Sequence, residues 1–442
     1  MAVYAYDGTW YERRPDAVVN VVSAAEVSAI LQLANRERIP IVPRGSGTGL
    51  SGGSVPVAGG IVLNLALMNK ILEIDVPNMA AVAQPGVVTA TLQQQVESRR
   101  LFYPPDPASL KQCTIGGNVA MNSGGPRGLK YGVTKDYVLG IEVVIPNGDT
   151  LRLGGKPVKN VTGYSLAQLF VGSEGTLGVI TQATLRLIPL PKARSVALAI
   201  FPNLDEAAGI VGVILGAGIV PSTIEIMDRT TIWCVEQYIK MGLPLDVDAL
   251  ILVEVDGDPD SVQAQVREVS ALCLSHGASS VEVAITAKEM DDLWLVRRSI
   301  SPSLARLRPN KLGEDISVPR AAIVPMVREV QQIAAHRDLT IAMFGHISDG
   351  NLHPNMLFDQ GNPEELAHVQ EAAEDIFAAA VSLGGTLSGE HGIGLLKREF
   401  LSMDLSPAVI EAMRLVKSSF DPNNILNPGK MFPQGGPKIP GG

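Results

Sequence analysis

Pro43-Arg44-Gly45-Ser46-Gly47-Thr48-Gly49-Leu50-Ser51-Gly52-Gly53 follows directly on the strand-like run Ile39-Pro40-Ile41-Val42. Backbone this dense in glycine has no Cβ to hold a guest away, and its N–H groups can turn inward as an anion-binding nest. The stretch therefore predicts a nucleotide cofactor bound through its pyrophosphate along Pro43, Arg44, Gly45, Ser46, Gly47, Thr48, Gly49 and Ser51. Gly47-x-Gly49-x-x-Gly52 also spells the dinucleotide fingerprint, and Glu73 stands where a ribose-binding acid would. The context differs. A Rossmann loop opens a helix, whereas Gly52-Gly53-Ser54-Val55-Pro56 and Gly59-Gly60 break any helix before the next strand, residues 61–65. No Lys-Ser or Lys-Thr follows the glycines, as a Walker loop requires.

The chain has 442 residues, enough for two or three domains with cores of their own. Its formal net charge of -9, with lysine and arginine dispersed, argues against nucleic acid or an anionic membrane as partner, because both require a positive field. The longest apolar run, residues 210–220, is interrupted by glycine and stops at Pro221, too short to span a bilayer. Arg13-Arg14 leads into Pro15-Asp16, unlike an export signal. The expected location is the cytoplasm, peripheral to the membrane if a partner provides the attachment. Cys113, Cys234 and Cys273 are far apart, so an iron–sulfur or other electron-transfer centre would sit on a partner subunit.

Along the chain, residues 18–22 predict a strand and Ser23-Ala24-Ala25-Glu26 a capping box, with Val27, Ile30, Leu31 and Ala34 on one helical face. Further strands are expected at 71–75 and 80–84, and a helix at 89–99. A second wall for the cofactor follows in Pro104-Pro105-Asp106-Pro107-Ala108-Ser109, Cys113-Thr114-Ile115-Gly116-Gly117-Asn118 and Asn122-Ser123-Gly124-Gly125. Prolines fix its approach and small residues let a flat ligand lie against backbone. Pro105, Asp106, Ser109, Thr114, Gly116, Gly117, Ser123 and Gly125 are its candidate contacts. Ser173-Glu174-Gly175-Thr176-Leu177-Gly178 makes a third small-residue segment leading into a strand over 179–188, adding Glu174, Gly178 and Ile180. Any one of these could be turn chemistry alone; three in one domain point to a built site. After Pro189-Leu190-Pro191 the pattern becomes strands at 195–201, 249–255 and 280–285 alternating with helices at 203–217 and 260–276. That predicts an α+β module, a sheet with helices over one face. Helices are also expected at 289–306, 320–337 and 406–420, with 313–319 as a connector.

A second chemical centre lies in Phe344-Gly345-His346-Ile347-Ser348-Asp349-Gly350-Asn351-Leu352-His353-Pro354-Asn355. Asp349-Gly350 is a two-residue hairpin signal, which predicts His346 directly opposite His353, with Asn355 on the same face. Opposed residues have Cβ atoms roughly 5 Å apart, so both imidazoles could bind one metal ion. Ser388-Gly389-Glu390-His391-Gly392-Ile393-Gly394 offers the third ligand in Glu390, leaving His391, pointing elsewhere, as a general base.

Together, PRGSGTGLSGG, PPDPAS, CTIGGNVAMNSGG, SEGTLGVIT, GHISDGNLH, GEHGIG and DPNNILNPGKMF resemble the FAD-linked 2-hydroxy-acid dehydrogenases of the vanillyl-alcohol-oxidase flavin fold, the group of glycolate oxidase D subunits and D-lactate and D-2-hydroxyglutarate dehydrogenases. The resemblance runs from about Pro15 to Phe432. It implies an α+β protein with a two-subdomain PCMH-type FAD-binding domain at 1–191 and a substrate or cap domain with antiparallel sheet and helices at 192–385. A C-terminal segment, 386–433, would return to the flavin through Asn427, and 434–442 would be a flexible tail. Ser46 stands where some relatives place a histidine bonded to the flavin, so FAD is expected to be non-covalent. The substrate-clamping arginine of the family maps onto Arg297, with Ser301 and Lys311 as further candidates.

The expected reaction is oxidation of a small D-2-hydroxy acid of the glycolate or D-lactate class to its 2-oxo acid, with hydride passing from Cα to flavin N5. A divalent metal (Zn, Mn or Fe) on His346, His353 and Glu390 would lower the hydroxyl pKa, His391 would take the proton and Arg297 would hold the carboxylate. The rival readings are a flavin-binding subunit of an oxidase complex without chemistry of its own, and metal-dependent hydrolysis with merely structural glycine loops.

Overall fold

The computed structural model of the chain describes residues 1–435. Strands Ala17–Asn20, Ile61–Asn64 and Ile41–Arg44 form a parallel sheet in that order. Helix Ala24–Glu37 makes the crossover. Ser23 accepts from the Glu26 N–H while the Glu26 carboxylate takes the Val22 N–H, and Val27, Leu31 and Ala34 bury one stripe against the sheet. No helix lies between Ile41–Arg44 and Ile61–Asn64, as the glycines demand.

A second, antiparallel sheet orders Ile71–Asp75, Ala80–Ala83, Val179–Arg186, Val138–Val144 and Thr150–Gly154. Helix Ile115–Met121 packs on it through Ile115 and Val119, inside the stretch expected to be only a small-residue wall.

The larger sheet is antiparallel, in the order Ser280–Ala284, Ala193–Phe201, Ala249–Gly257, Thr223–Asp228, Thr340–His346, Asn351–Phe358 and Asn310–Gly313, with Ile316–Ser317 also paired to Asn351–Phe358. Helices cover both of its faces, correcting the one-sided expectation. Ala197, Ala199, Ile224, Ile226, Ile251 and Val253 share a core with the buried faces of Leu204–Gly216, Pro259–Ser275, Ile323–His336 and Pro363–Ser382. Val196, Leu198, Met227, Leu250, Leu252 and Phe344 share another with Arg229–Ile239, Ala287–Arg298 and Ile300–Leu307. The unbroken apolar run Ala249-Leu250-Ile251-Leu252-Val253 is the mark of a strand buried on both sides.

Three further expectations change. The helix predicted over 289–306 divides at Ser299, because Pro302 has no N–H to bond the carbonyl of Arg298. The helix predicted over 320–337 begins as a 3₁₀ turn, Arg320–Ala322, before Ile323–His336. The connector 313–319 carries strand Ile316–Ser317.

The C-terminal segment crosses back to the first sheet. The Ile41 N–H donates to the Ile425 carbonyl (2.7 Å), and the Asn427 N–H donates to the Ile41 carbonyl (2.9 Å). Phe420, ending helix Pro407–Phe420, packs edge-on against Phe170. Of the tail expected to be flexible, Gln434 and Gly435 donate backbone N–H groups to Glu399, and the rest lies outside the described residues.

Candidate active site

A cavity of about 800 Å³ opens between the glycine loops and the polar end of the large sheet. Loop 43–51 forms one wall, and Asp106, Ser109, Thr114, Gly116, Gly117 and Ser123 form the next. Side chains are scarce here because the backbones are close: a Cβ on Gly45 would strike Thr114 Oγ1, whereas one on Gly49 would meet nothing. Ser51 lines the cavity, and its Oγ is buried just beneath the surface without a hydrogen-bond partner among the described residues. An open backbone cradle with an unanswered hydroxyl suits a large phosphate-bearing cofactor.

The opposite wall is a face of the large sheet. Pairing Thr223 with Glu254, Met227 with Phe344, and Phe344 with His353 places Glu225, Glu254, His346, His353 and Asn355 on one face. The hairpin register differs from expectation: His346 pairs with Asn351 and Phe344 with His353. Ile347–Asp349 forms a 3₁₀ turn and only Gly350 takes positive φ (+84°), so the connection has four residues instead of two. The shift is by two residues, which keeps both histidines on the same face.

His346 and His353 have ring centroids 5.2 Å apart and nearly perpendicular planes. Their Nε2 atoms lie 3.5 and 3.6 Å from Glu390 Oε1, the converging donor set of a two-histidine, one-carboxylate metal site. Behind His346, the fully buried Glu225 meets Nδ1 at 2.5 Å and ion-pairs Arg297 Nε. Burial opposes charge on His346, but Glu225 and Glu390 raise its pKa well above 6.5. Burial and the neighbouring His346 push His353 down to about 3, and its Nδ1 has no hydrogen-bond partner among the described residues. Burial works against the Glu390 charge too, yet the three imidazoles, His346 foremost, hold its pKa at about 2. His391 does not point elsewhere: its ring stacks on His353 at 5.4 Å and its Nε2 lies 4.0 Å from Glu390 Oε1.

Two buried carboxylates hold the loop that carries Glu390 and His391. Asp315 Oδ2 accepts from Ser388 Oγ (2.7 Å) and from the N–H groups of Glu390 (2.9 Å) and His391 (2.8 Å), and Oδ1 from Asn351 Nδ2 (2.7 Å). Buried Lys397 donates to the carbonyls of Asp315 and Leu387. From the other half, Glu174 accepts the N–H groups of Ile393 and Gly394, both at 2.8 Å, and its carbonyl takes Asn427 Nδ2 at 2.7 Å.

The cavity brings together nearly all the predicted residues, including Pro43, Gly47, Thr48, Gly178, Ile180, Asn427, Arg297, His346, Glu390 and His391. Pro105, Gly125, His353 and Lys311 stand behind its surface. The Pro105 carbonyl accepts Gln93 Nε2, Gly125 packs on the Asp106 backbone, and Lys311 donates to Ser301 Oγ, which does line the cavity. Arg44 contributes backbone only, since its guanidinium binds the carbonyls of Tyr6 and Val3. Sequence reasoning missed Glu225, Asp315, Arg127 beside Asp106, and Trp294 bonded to Glu254. The available signal was a carboxylate at an inward position of an apolar strand, in Thr223-Ile224-Glu225-Ile226-Met227.

Residues 15–154 match the family described as FAD binding domain, and residues 190–431 the family described as FAD linked oxidases, C-terminal domain. The glycolate oxidase subunit GlcD of Bacillus subtilis (strain 168) is 49% identical over 431 residues, covering 97% of this chain and 92% of that protein. The D-lactate dehydrogenase of Anaerostipes hadrus is 36% identical, covering 98% and 91%. The crystal structure of p-cresol methylhydroxylase with substrate bound shares the fold at 18% identity, with a TM-score of 0.76 over 95% of this chain and 89% of that one. With FAD as the cofactor that its glycine walls fit, the chain belongs to the FAD-linked oxidases.

Proposed function

We propose that this protein oxidises a small D-2-hydroxy acid of the glycolate or D-lactate class to the 2-oxo acid, using non-covalent FAD and a divalent metal, Zn, Mn or Fe. The observation that carries the reading is the convergence of His346, His353 and Glu390 on one another, with His346, Glu390, His391 and Arg297 lining the same cavity as the glycine loops. The names of the relatives, glycolate oxidase subunit and D-lactate dehydrogenase, support the substrate class. In this reading residues 1–191 hold FAD, 192–385 form the substrate domain, and 386–433 bring Glu390, His391 and Asn427 back to the cavity.

FAD would supply the two-electron acceptor, and His346 Nε2, His353 Nε2 and Glu390 would hold the metal, whose contribution would be Lewis acidity. Arg297 holds the substrate carboxylate through its terminal nitrogens, its Nε being occupied by Glu225. Lys311 steadies Ser301 at the same end. His391 takes the hydroxyl proton at Nε2, with its backbone fixed by Asp315. Ser46 offers no imidazole for a flavin bond, which supports non-covalent FAD. The three cysteines are buried and free, so the acceptor of the electrons would be oxygen, a quinone, a cytochrome or a partner subunit. Among the described residues no helix is long and apolar enough to cross a membrane.

Anaerobic bleaching of the purified flavoprotein with glycolate, D-lactate, L-lactate, D-2-hydroxyglutarate and D-malate, alongside metal analysis, tests the reading. Bleaching by glycolate or D-lactate with about one metal per chain is expected. A flavin that stays yellow with all five acids would sink it.

A further inference from the structure

Glu225 is fully buried on strand Thr223–Asp228, where Ile224 and Ile226 turn into the opposite core. A carboxylate is tolerated there only if both oxygens are answered. One oxygen meets His346 Nδ1 at 2.5 Å and the other meets Arg297 Nε. The His346 ring is thereby pinned with Nε2 toward Glu390. The Arg297 guanidinium also lies over the Phe344 ring at 4.9 Å, and no hydrogen bond among the described residues occupies its terminal nitrogens. Two fixed points therefore orient a fork that lines the cavity.

We infer that Glu225 is a positioning residue shared by two parts of the site, one oxygen aiming a metal-binding histidine and the other aiming the arginine that receives the substrate carboxylate. The inference rests on the proposed oxidation and goes beyond it by coupling metal retention to acid binding through a side chain that touches neither. Arg297 lies on helix Ala287–Arg298 and His346 on strand Thr340–His346, so this carboxylate bonds across two elements and sets the distance between clamp and metal.

Three full-length FAD-loaded variants test it: Glu225→Gln, Glu225→Asp and Arg297→Met. Zn²⁺ or Mn²⁺ retention is titrated against a chelator buffer, FAD is read by absorbance, and anaerobic flavin reduction is followed against D-lactate concentration. For Glu225→Gln, metal affinity should fall by about 10- to 100-fold, the usual cost of losing a carboxylate behind a ligating histidine. The half-saturating D-lactate concentration should rise in parallel, with FAD content unchanged. Arg297→Met should raise the half-saturating concentration and leave metal retention as in the wild type. A Glu225→Gln protein that keeps wild-type metal affinity overturns the inference. If that variant does not fold, Glu225→Asp decides: the same two losses in a folded flavoprotein support the role, and failure of both variants to fold makes Glu225 a structural residue and ends it. A wild type that holds no metal and is bleached by no acid would remove the proposed oxidation itself, whereas a normal wild type beside an unaltered Glu225→Gln removes only the role of Glu225.

Discussion

On the side of the glycine loops the cavity is lined by what is missing, whereas on the side of the large sheet nearly every polar atom is a side chain held by another side chain. Gly45, Gly47, Gly49, Gly116 and Gly117 offer backbone, and their tolerance is set by how closely the next strand of chain approaches. His346, Glu390 and His391 are each fixed from behind, by Glu225 or Asp315. A backbone wall binds through shape and N–H dipoles and has no proton to move; a side-chain wall titrates. The two should therefore fail differently when altered, the first by losing cofactor and the second by losing rate with cofactor still bound.

The largest effect belongs to the side-chain wall. His391→Ala should slow anaerobic flavin reduction by on the order of 10²–10⁴-fold, the range for a lost general base. FAD content should be unchanged, because His391 is anchored through Asp315 and the glycine wall does not depend on it. Stopped-flow reduction beside a flavin spectrum checks this, and a variant that purifies colourless would erase the division between the walls.

Gly45→Ala is the matching change on the other side. The added methyl meets Thr114 Oγ1, on a buried side chain at the N-cap position of helix Ile115–Met121 that has little room to turn away. Overpacking of about 1–3 kcal/mol corresponds to on the order of 10- to 100-fold weaker FAD binding. Flavin fluorescence titration of stripped protein measures it, and metal retention should stay at the wild-type level.

The same contrast explains what could be read from sequence. Gly45 to Gly53, the capping box at Ser23 and the stripe Val27, Leu31, Ala34 are local signals, and the structure keeps them. Asp349-Gly350 was local too but ambiguous: both a two-residue turn and a 3₁₀ turn use that pair, and the actual turn slides the register. His346 and His353 stayed together because a shift of two preserves the face. Glu225 and Asp315 were illegible as site residues because their partners, His346 and His391, lie 121 and 76 residues away along the chain. The two-sided cover of the large sheet was missed although Ala249 to Val253 lacks alternation, because a short apolar run does not say which helices will bury it.

The glycine wall carries titrating groups too, and Asp106 is one of them. Burial pushes the Asp106 carboxyl up to about 7 from 3.8, against the opposing charges of Arg127 and His346. A folded pKa above the unfolded one means the folded state holds the extra proton, so the contribution of Asp106 to stability is full below about pH 4 and is lost as pH rises toward about 7. The side chain is 11% exposed into the cavity, and solvent there reduces the effect to about 2 kcal/mol. Urea unfolding of FAD-free protein should show this decline between about pH 4 and 7, and Asp106→Asn should flatten it. An undiminished slope in the variant would assign the decline to another group.

The smallest change asks whether the supports behind the side-chain wall act in parallel or in series. Ser388 Oγ donates to Asp315 Oδ2 at 2.7 Å and accepts the Gly392 N–H at 2.9 Å, while the N–H groups of Glu390 and His391 reach the same carboxylate independently. If the supports are parallel, Ser388→Ala removes one of four donors to Asp315 and costs about 1 kcal/mol of stability, with flavin reduction slowed only a few-fold. If they are in series, loss of the hydroxyl lets the loop turn and His391 leaves its place over His353. Flavin reduction would then fall nearly as far as in His391→Ala. Because Asp315 grips the backbone of Glu390 and His391 directly, the parallel outcome is expected, and a loss of the larger size would mean that the side-chain wall depends on its outermost hydroxyl as closely as the glycine wall depends on an absent methyl.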